Sequence, residues 1–383
     1  MNLLNYINKI NRQIKINSNK YLSYEIQRDF LYRLPQPKDD IERSYFQYKC
    51  QSFVAETKIT ITIKNMVSII IFIYYWFKLY GKNNNNNIKS SNVLIGSKKL
   101  LEVVPNIFIH NLICIDIGLK MSLNKEDKKI LKYIIKRYPF SWFFILKNLI
   151  KIATYSYAIE NHNPNVIISS CEYSFSSSLL TYYCEQKNIE HINIMHGEKI
   201  FDITDAFCRF SKFYIWDEYY VNLFYDLRAN KSLFLVENQF LLNKINFNKI
   251  ITLKKIYYKF YLAYETKESL SVLHNIVEFF LKNNLSVKLR PHPTYTNLKM
   301  LNTYFDDELI ENFNDVDIIT SILSSKNVIA VGSTVLYLAY LLDVSVIIDD
   351  LSNIKRYNYF KNNKYIMFAK KHQLLSSEIK NLN

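Results

Sequence analysis

The chain has 383 residues, 49% of them hydrophobic and 22% charged, and a formal net charge of +15. At roughly 150 residues per domain this length corresponds to about two domains, and the apolar content excludes a generally disordered chain. The positive excess favours anionic partners such as nucleotides, nucleic acid, phospholipid or acidic glycans, without choosing among them. With only 5 glycines, a Gly-rich dinucleotide fingerprint or a P-loop would stand out, and neither occurs. The five cysteines Cys50, Cys114, Cys171, Cys184 and Cys208 are widely spaced and form no C-x-x-C pair. That pattern argues against a disulfide framework or a zinc site and for a reducing, cytoplasmic setting.

The amino-terminal stretch MNLLNYINKINRQIKINSNK lacks the continuous apolar core of a secretory signal. Residues 1 to about 80 read mainly as helix, broken at Leu34-Pro35-Gln36-Pro37. The most apolar run, Met66 to Phe77, is shorter than the roughly 20 residues a membrane span requires, so a buried helix is expected, with an interfacial membrane segment second. Gly81-Lys82 and the run Asn83 to Asn87 read as a disordered polar loop. Beyond it come short Ile- and Val-rich runs alternating with helical segments: Asn92 to Gly96, Ile107 to His110, Leu112 to Ile117, Val166 to Ser170 and Ile192 to Met195. Continuous apolar runs of this kind predict a parallel sheet covered on both faces.

After a junction near residues 230 to 250 a second series follows. Strands are expected at Tyr257 to Tyr264, Ser286 to Leu289, Val328 to Val331 and Val344 to Ile348, with helices at Ser269 to Lys282, Asp317 to Ser325 and Val335 to Leu342. The expectation is an α/β protein of two doubly wound Rossmann-type domains facing a cleft, with a helical N-terminal region. Residues 1–240 would form the helical segment and an acceptor-side domain, and residues 241–383 a nucleotide-binding domain.

Two turns carry the chemistry. Lys288-Leu289-Arg290-Pro291-His292-Pro293 follows a predicted strand, and its prolines, including Pro293, stiffen the exit so that His292 is held at the carboxyl end of the sheet. Arg290 is a permanent cation suited to phosphate, and a histidine can give a phosphate oxygen a charge-assisted hydrogen bond. Asn327 to Gly332-Ser333-Thr334 is a strand, tight turn and helix start, with Ser333 or Thr334 as the N-cap and the exposed amides as an anion site.

These two motifs, about forty residues apart, resemble the nucleotide-sugar-binding half of bacterial sialyltransferases and capsule-polymer transferases of the GT-B type, over about the last 130 residues. The resemblance implies that His292 faces the nucleotide phosphate of a CMP-sugar and that Ser333 and Thr334 bind phosphate or the sugar carboxylate. The acidic Asp/Glu-Asp/Glu-Gly triplet of those sialyltransferases is missing. In its place stands Ile194-Met195-His196-Gly197-Glu198, whose His-Gly is similar to that of teichoic-acid polymerases using CDP-glycerol. A general base must deprotonate an attacking hydroxyl, and Glu198, His196 and, after another apolar strand, Glu172 all remain open for it.

Asp315-Val316-Asp317 has metal-pair spacing, but Asp317 is better read as a helix N-cap. The pairs Asp39-Asp40, Asp306-Asp307 and Asp349-Asp350 read as surface. The histidines outside the two turns show no metal-ligand spacing, the aromatic residues do not interleave with a basic cluster, and no nucleic-acid-binding motif is present. The reading is an inverting GT-B-like glycosyltransferase that moves an acidic sugar, sialic acid or a related nonulosonic acid, from a CMP-sugar to a cell-surface glycan acceptor. No cofactor and no metal is expected, because protein cations would stabilise the leaving phosphate. Peripheral contact with the inner face of the plasma membrane fits the charge. Alternatives are a CDP-glycerol glycerophosphotransferase, a Kdo transferase and a non-catalytic polysaccharide-assembly protein.

Overall fold

The structure, a computed structural model, describes residues 22–79, 92–195, 197–229, 234–238 and 255–382. The Asn83 to Asn87 run, His196 and most of the 230 to 250 junction lie outside these. The chain divides into two units, residues 1–196 with 201–240, and residues 197–200 with 241–383.

The first unit opens with helices α1 (Tyr24–Arg33), α2 (Asp40–Ala55) and α3 (Lys58–Lys78), started by the side chains of Ser23, Asp39 and Thr57. Then come β1 (Asn92–Ile95), α4 (Asn106–Ile109), β2 (Leu112–Ile115), α5 (Lys125–Arg137), α6 (Trp142–His162), β3 (Val166–Ser169), α7 (Ser177–Glu185), β4 (Glu190–Ile194), β5 (Lys212–Ile215), α8 (Tyr219–Asp226) and β6 (Phe234–Val236). The strands form one sheet in the order β2-β1-β3-β4-β5-β6. Every pairing in it is parallel. The order reverses at β1, so the chain ends after β1 and β3 diverge to opposite faces.

Residues 107 to 110, expected as a strand, instead form α4, which presents Phe108 inward while Ile107 is exposed. A four-residue apolar run fits one helical turn as well as a strand, and Pro105 at its start favours the turn. The Met66 to Phe77 run is also corrected. It belongs to the longer α3, of 21 residues, with only Ser68, Phe72 and Tyr75 buried. By length and composition alone α3 could cross a membrane. Its buried side lies on α6, where the Phe143 N–H donates to Asn65 Oδ1 (2.9 Å) and Phe72 meets Trp142 edge to face (5.4 Å).

The second unit contains β7 (Ile256–Leu262), α9 (Lys267–Lys282), β8 (Val287–Pro291), α10 (Leu298–Leu301), α11 (Ile318–Leu323), β9 (Ser325–Ala330), α12 (Thr334–Leu341), β10 (Ser345–Ile348), α13 (Ile354–Asn362), β11 (Gln373–Leu374) and α14 (Leu375–Leu382). Its sheet runs β11-β10-β9-β7-β8, again all parallel. The core gathers Phe260, Leu273, Val277, Phe280 and Leu289 between sheet and helices. Each unit is therefore a doubly wound α/β sheet, as the sequence predicts, and the first carries the expected helical N-terminal region.

Around His191, which has no solvent exposure, the ring nitrogens are both paired. Its Nδ1 bonds Thr181 Oγ1 (2.8 Å), and its Nε2 lies 2.9 Å from Tyr155 Oη and 3.2 Å from Ser169 Oγ. Burial lowers its pKa from 6.5 to about 3, with repulsion from Lys151 and Arg209 adding to the effect. The native state thus binds fewer protons than the unfolded chain, so stability is full above pH 6.5 and declines as pH falls toward 3. His191→Gln should lower the melting temperature at neutral pH, and its deficit should shrink near pH 5. A deficit independent of pH contradicts a neutral, buried imidazole.

Candidate functional site

Parallel pairing sends β7, β8, β9 and β10 to end on one edge. Strand order reverses at β7, which has β8 on one side and β9 on the other, and such a switch point opens a crevice beyond the strand ends. A cavity lies there, lined by Ala263, Glu265, Gly332, Asp349, Asn353 and Arg356 among others.

Gly332 closes the turn after β9. A Cβ at this position would lie 2.6 Å from the Phe360 ring, so the close approach of α13 requires glycine. Ser333 caps α12, its Oγ accepting from the Val335 N–H (3.3 Å). The Ser333 N–H donates to Tyr365 Oη (3.0 Å), and the Ser333 carbonyl lies 2.9 Å from the same hydroxyl.

Glu198 comes to this turn as well. The segment 197–200 is grouped with the second unit, and the Glu198 N–H approaches Thr334 Oγ1 at 3.5 Å. The residue keeps some exposure, but its Oε1 is shut off from solvent with no hydrogen-bond partner. Burial holds this carboxyl well above the usual carboxylate range, opposed by a hydrogen bond with Tyr365. The Tyr365 hydroxyl is itself pushed far up by burial and by the Glu198 charge.

His292 leaves β8 at the same edge. Its N–H donates to the Leu262 carbonyl (3.1 Å) and to Thr296 Oγ1 (3.0 Å), locking it to the end of β7. Nδ1 accepts from the Thr294 N–H (3.0 Å), which fixes the neutral tautomer with its proton on Nε2. Partial burial, and then the nearby Arg356 charge, lower its pKa. The donor it turns outward is the Nε2–H. The ring stacks on Tyr295 (4.4 Å), which stacks on Tyr264 (4.4 Å). Tyr264 has a left-handed backbone, φ 63°, which is strained for a residue with so large a side chain. Pro293 is exposed.

Arg356 was not singled out by sequence. From α13 it donates to the carbonyls of Ala263 and Gly332 (3.1 Å for the second), joining the ends of β7 and β9. Its guanidinium lies 5.5 Å from the Tyr264 ring centre. Nothing local marks it, since one arginine in a helix among tyrosines has no motif. Glu265, also missed, accepts from Thr296 Oγ1 (3.2 Å), and burial raises its pKa against the pull of Arg356. Asp349, read as surface, is buried and accepts the amides of Leu351 (3.0 Å) and Ser352 (2.9 Å). Burial raises its pKa too.

Two expected site residues stand elsewhere. Arg290 is only 7% exposed, with Nη2 donating to the Val316 carbonyl (2.7 Å) and Nη1 3.4 Å from Glu311 Oε1. Lys259 shares the same carboxylate at 3.0 Å. A buried guanidinium needs such a counter-ion, so Arg290 is committed to the interior, and the cation at the crevice is Arg356. Glu172 belongs to the first unit, fully buried, with Oε2 accepting from Asn193 Nδ2 (2.9 Å) and its carbonyl from Gln47 Nε2 (2.7 Å). Asp317 caps α11, as read from sequence, accepting from the Thr320 N–H (3.0 Å).

The second unit thus defines an α/β crevice of the type that binds ligands at a strand-order reversal. No protein-family model matches the chain, and no curated protein matches it in sequence. Among solved structures it is similar to a putative UDP-N-acetylglucosamine 2-epimerase from Listeria monocytogenes, at 10% identity and TM-score 0.47, covering 77% of this chain and 86% of that one. It is also similar to the UDP-GlcNAc 2-epimerase of Methanocaldococcus jannaschii, at 13% identity and TM-score 0.45, covering 76% and 90%. A third is the wall teichoic acid polymerase TagF, at 11% identity and TM-score 0.43, covering 85% and 88%.

A raised Glu198 pKa makes the native state bind more protons than the unfolded chain, so its contribution to stability falls as pH rises above 4.5 through the folded value. Glu198→Gln should therefore gain melting temperature relative to the parent as pH is raised from about 4 to about 8. A constant difference, or a shift the other way, contradicts the buried carboxyl.

Proposed function

We propose that the protein is a GT-B-type glycosyltransferase whose second unit holds a nucleotide-activated donor, with a CMP-linked acidic sugar, sialic acid or a related nonulosonic acid, as that donor. The observation that carries this reading is the convergence at one sheet edge of a neutral His292 Nε2–H, the Arg356 cation, the start of α12 at Ser333-Thr334 and the shielded Glu198 carboxyl. Each of the first three stabilises negative charge. Together they suit a phosphate that gains charge as its sugar leaves.

Glu198 supplies the complementary function. A carboxyl with a raised pKa is a stronger base once ionised, better matched to an acceptor hydroxyl near neutral pH than an ordinary carboxylate. Attack of that hydroxyl on the anomeric carbon forms the new glycosidic bond as the bond to the nucleotide phosphate breaks. The proton passes to Glu198 and the electron pair leaves on the phosphate. Direct displacement inverts the anomeric centre. Tyr365 holds Glu198 against the α12 turn during the transfer.

The test offers CMP-, CDP- and UDP-activated donors in turn, with a glycan acceptor, and follows nucleotide release. Release from a CMP-sugar is expected. His292→Ala and Arg356→Ala should each weaken donor use by about 10- to 100-fold, equivalent to roughly 1.5–3 kcal/mol for a hydrogen bond to a charged group. Glu198→Gln should cut turnover by about 10²- to 10⁴-fold at saturating donor. The acidic limb of the parent's pH–rate profile should lie above the ordinary carboxylate range. Release from CDP-glycerol alone moves the reading to a glycerophosphotransferase. Turnover unchanged in both Glu198→Gln and His292→Ala removes the site assignment.

A further inference from the structure

Helix α3 carries an apolar face that the described residues leave exposed. Ile59, Ile63, Met66, Val67, Ile70, Ile73, Tyr74 and Phe77 are all exposed, Ile59, Ile70 and Phe77 by 72%, 73% and 75%. At 100° per residue they fall within an arc of about 120°, and at 1.5 Å per residue the stripe runs about 27 Å. A continuous apolar band of this kind is larger than a free water-facing surface ordinarily carries.

Charge identifies what fits it. Lys58 and Lys78 are exposed at the two ends, and no Asp or Glu occurs from 58 to 78. Lys128 of α5 lies 5.0 Å from the Trp76 ring, so α5 borders the carboxyl end of α3. That helix also exposes Lys125, Lys129, Lys132 and Lys136. A two-fold pairing of the stripe with itself would set lysine ends against lysine ends, with no carboxylate on the helix to answer them. An anionic bilayer surface answers both features, because it accepts apolar side chains at the headgroup boundary and attracts each flanking lysine. The opposite side of α3 is fastened to α6 through Asn65 and Phe72, which sets the helix along the surface and not across it.

We infer that α3 is an interfacial membrane-docking helix, which lays its Ile59-to-Phe77 face on anionic phospholipid with the α5 lysines beside it. This is independent of the reaction at the second unit. The experiment is co-sedimentation of the full chain with vesicles of phosphatidylcholine alone or mixed with phosphatidylglycerol, alongside sedimentation velocity of the chain without lipid. The parent should bind the mixed vesicles, weakly or not at all the neutral ones, and less at high salt. Ile70→Asp/Phe77→Asp should reduce the bound fraction at least ~10-fold with the melting temperature unchanged, since both side chains are already in water. Lys58→Glu/Lys78→Glu should reduce it while leaving the apolar face intact. A parent that ignores mixed vesicles overturns the proposal. So does a parent dimer that Ile70→Asp/Phe77→Asp dissociates without any lipid binding, which would make the face a contact between copies.

Discussion

Parallel hydrogen bonding is the constraint from which the candidate site follows. In a parallel sheet every strand ends on the same edge, and each crossover must climb back along a helix before the next strand begins. The residues just past β7, β8, β9 and β10 therefore gather whatever their distance in sequence. His292, Gly332 and Asp349 come from three separate stretches and share one edge because of this rule. The reversal of order at β7 then leaves a crevice between the ends of β7 and β9, and Arg356 joins the two margins by donating to a carbonyl on each.

Within that edge the charged groups differ in what holds them. Arg290 and Lys259 are buried on one carboxylate, Glu311, and removing that carboxylate would strand two cations in the interior. Their role is architectural. Arg356 and the His292 Nε2–H stand at the strand ends instead. The Glu198 carboxyl is shielded from solvent, and that raises its proton affinity above that of an ordinary carboxylate.

The fold was legible because its signals are local. Runs such as Val328 to Val331 and Val344 to Ile348 are short, apolar and rich in β-branched residues, the pattern of buried strands, and the capping residues Asp317 and Ser333 mark where helices begin. The His292 and Ser333 turns could be found because motif and strand end coincide. Arg356, Tyr365 and Glu265 could not, since each reaches the crevice through tertiary packing that no short window records. Arg290 misled for the converse reason. A strand-end arginine looks the same in sequence whether it faces a ligand or an interior carboxylate. The α3 stripe was hidden by hydrophobicity itself, because an apolar run reads as core until the neighbours that fail to cover it are known.

The ring stack beside His292 bears on how fast and how tightly a ligand could be held. Tyr264 keeps its aromatic plane against Tyr295 by adopting a backbone geometry that an unfolded chain seldom visits. The entropy of arranging those planes is lost when the polypeptide folds, so an incoming molecule meets a wall already in position and forfeits less of its own binding energy to arranging it. Relaxing that one dihedral would keep every side chain present yet leave Tyr295, the ring behind the imidazole, without its own support.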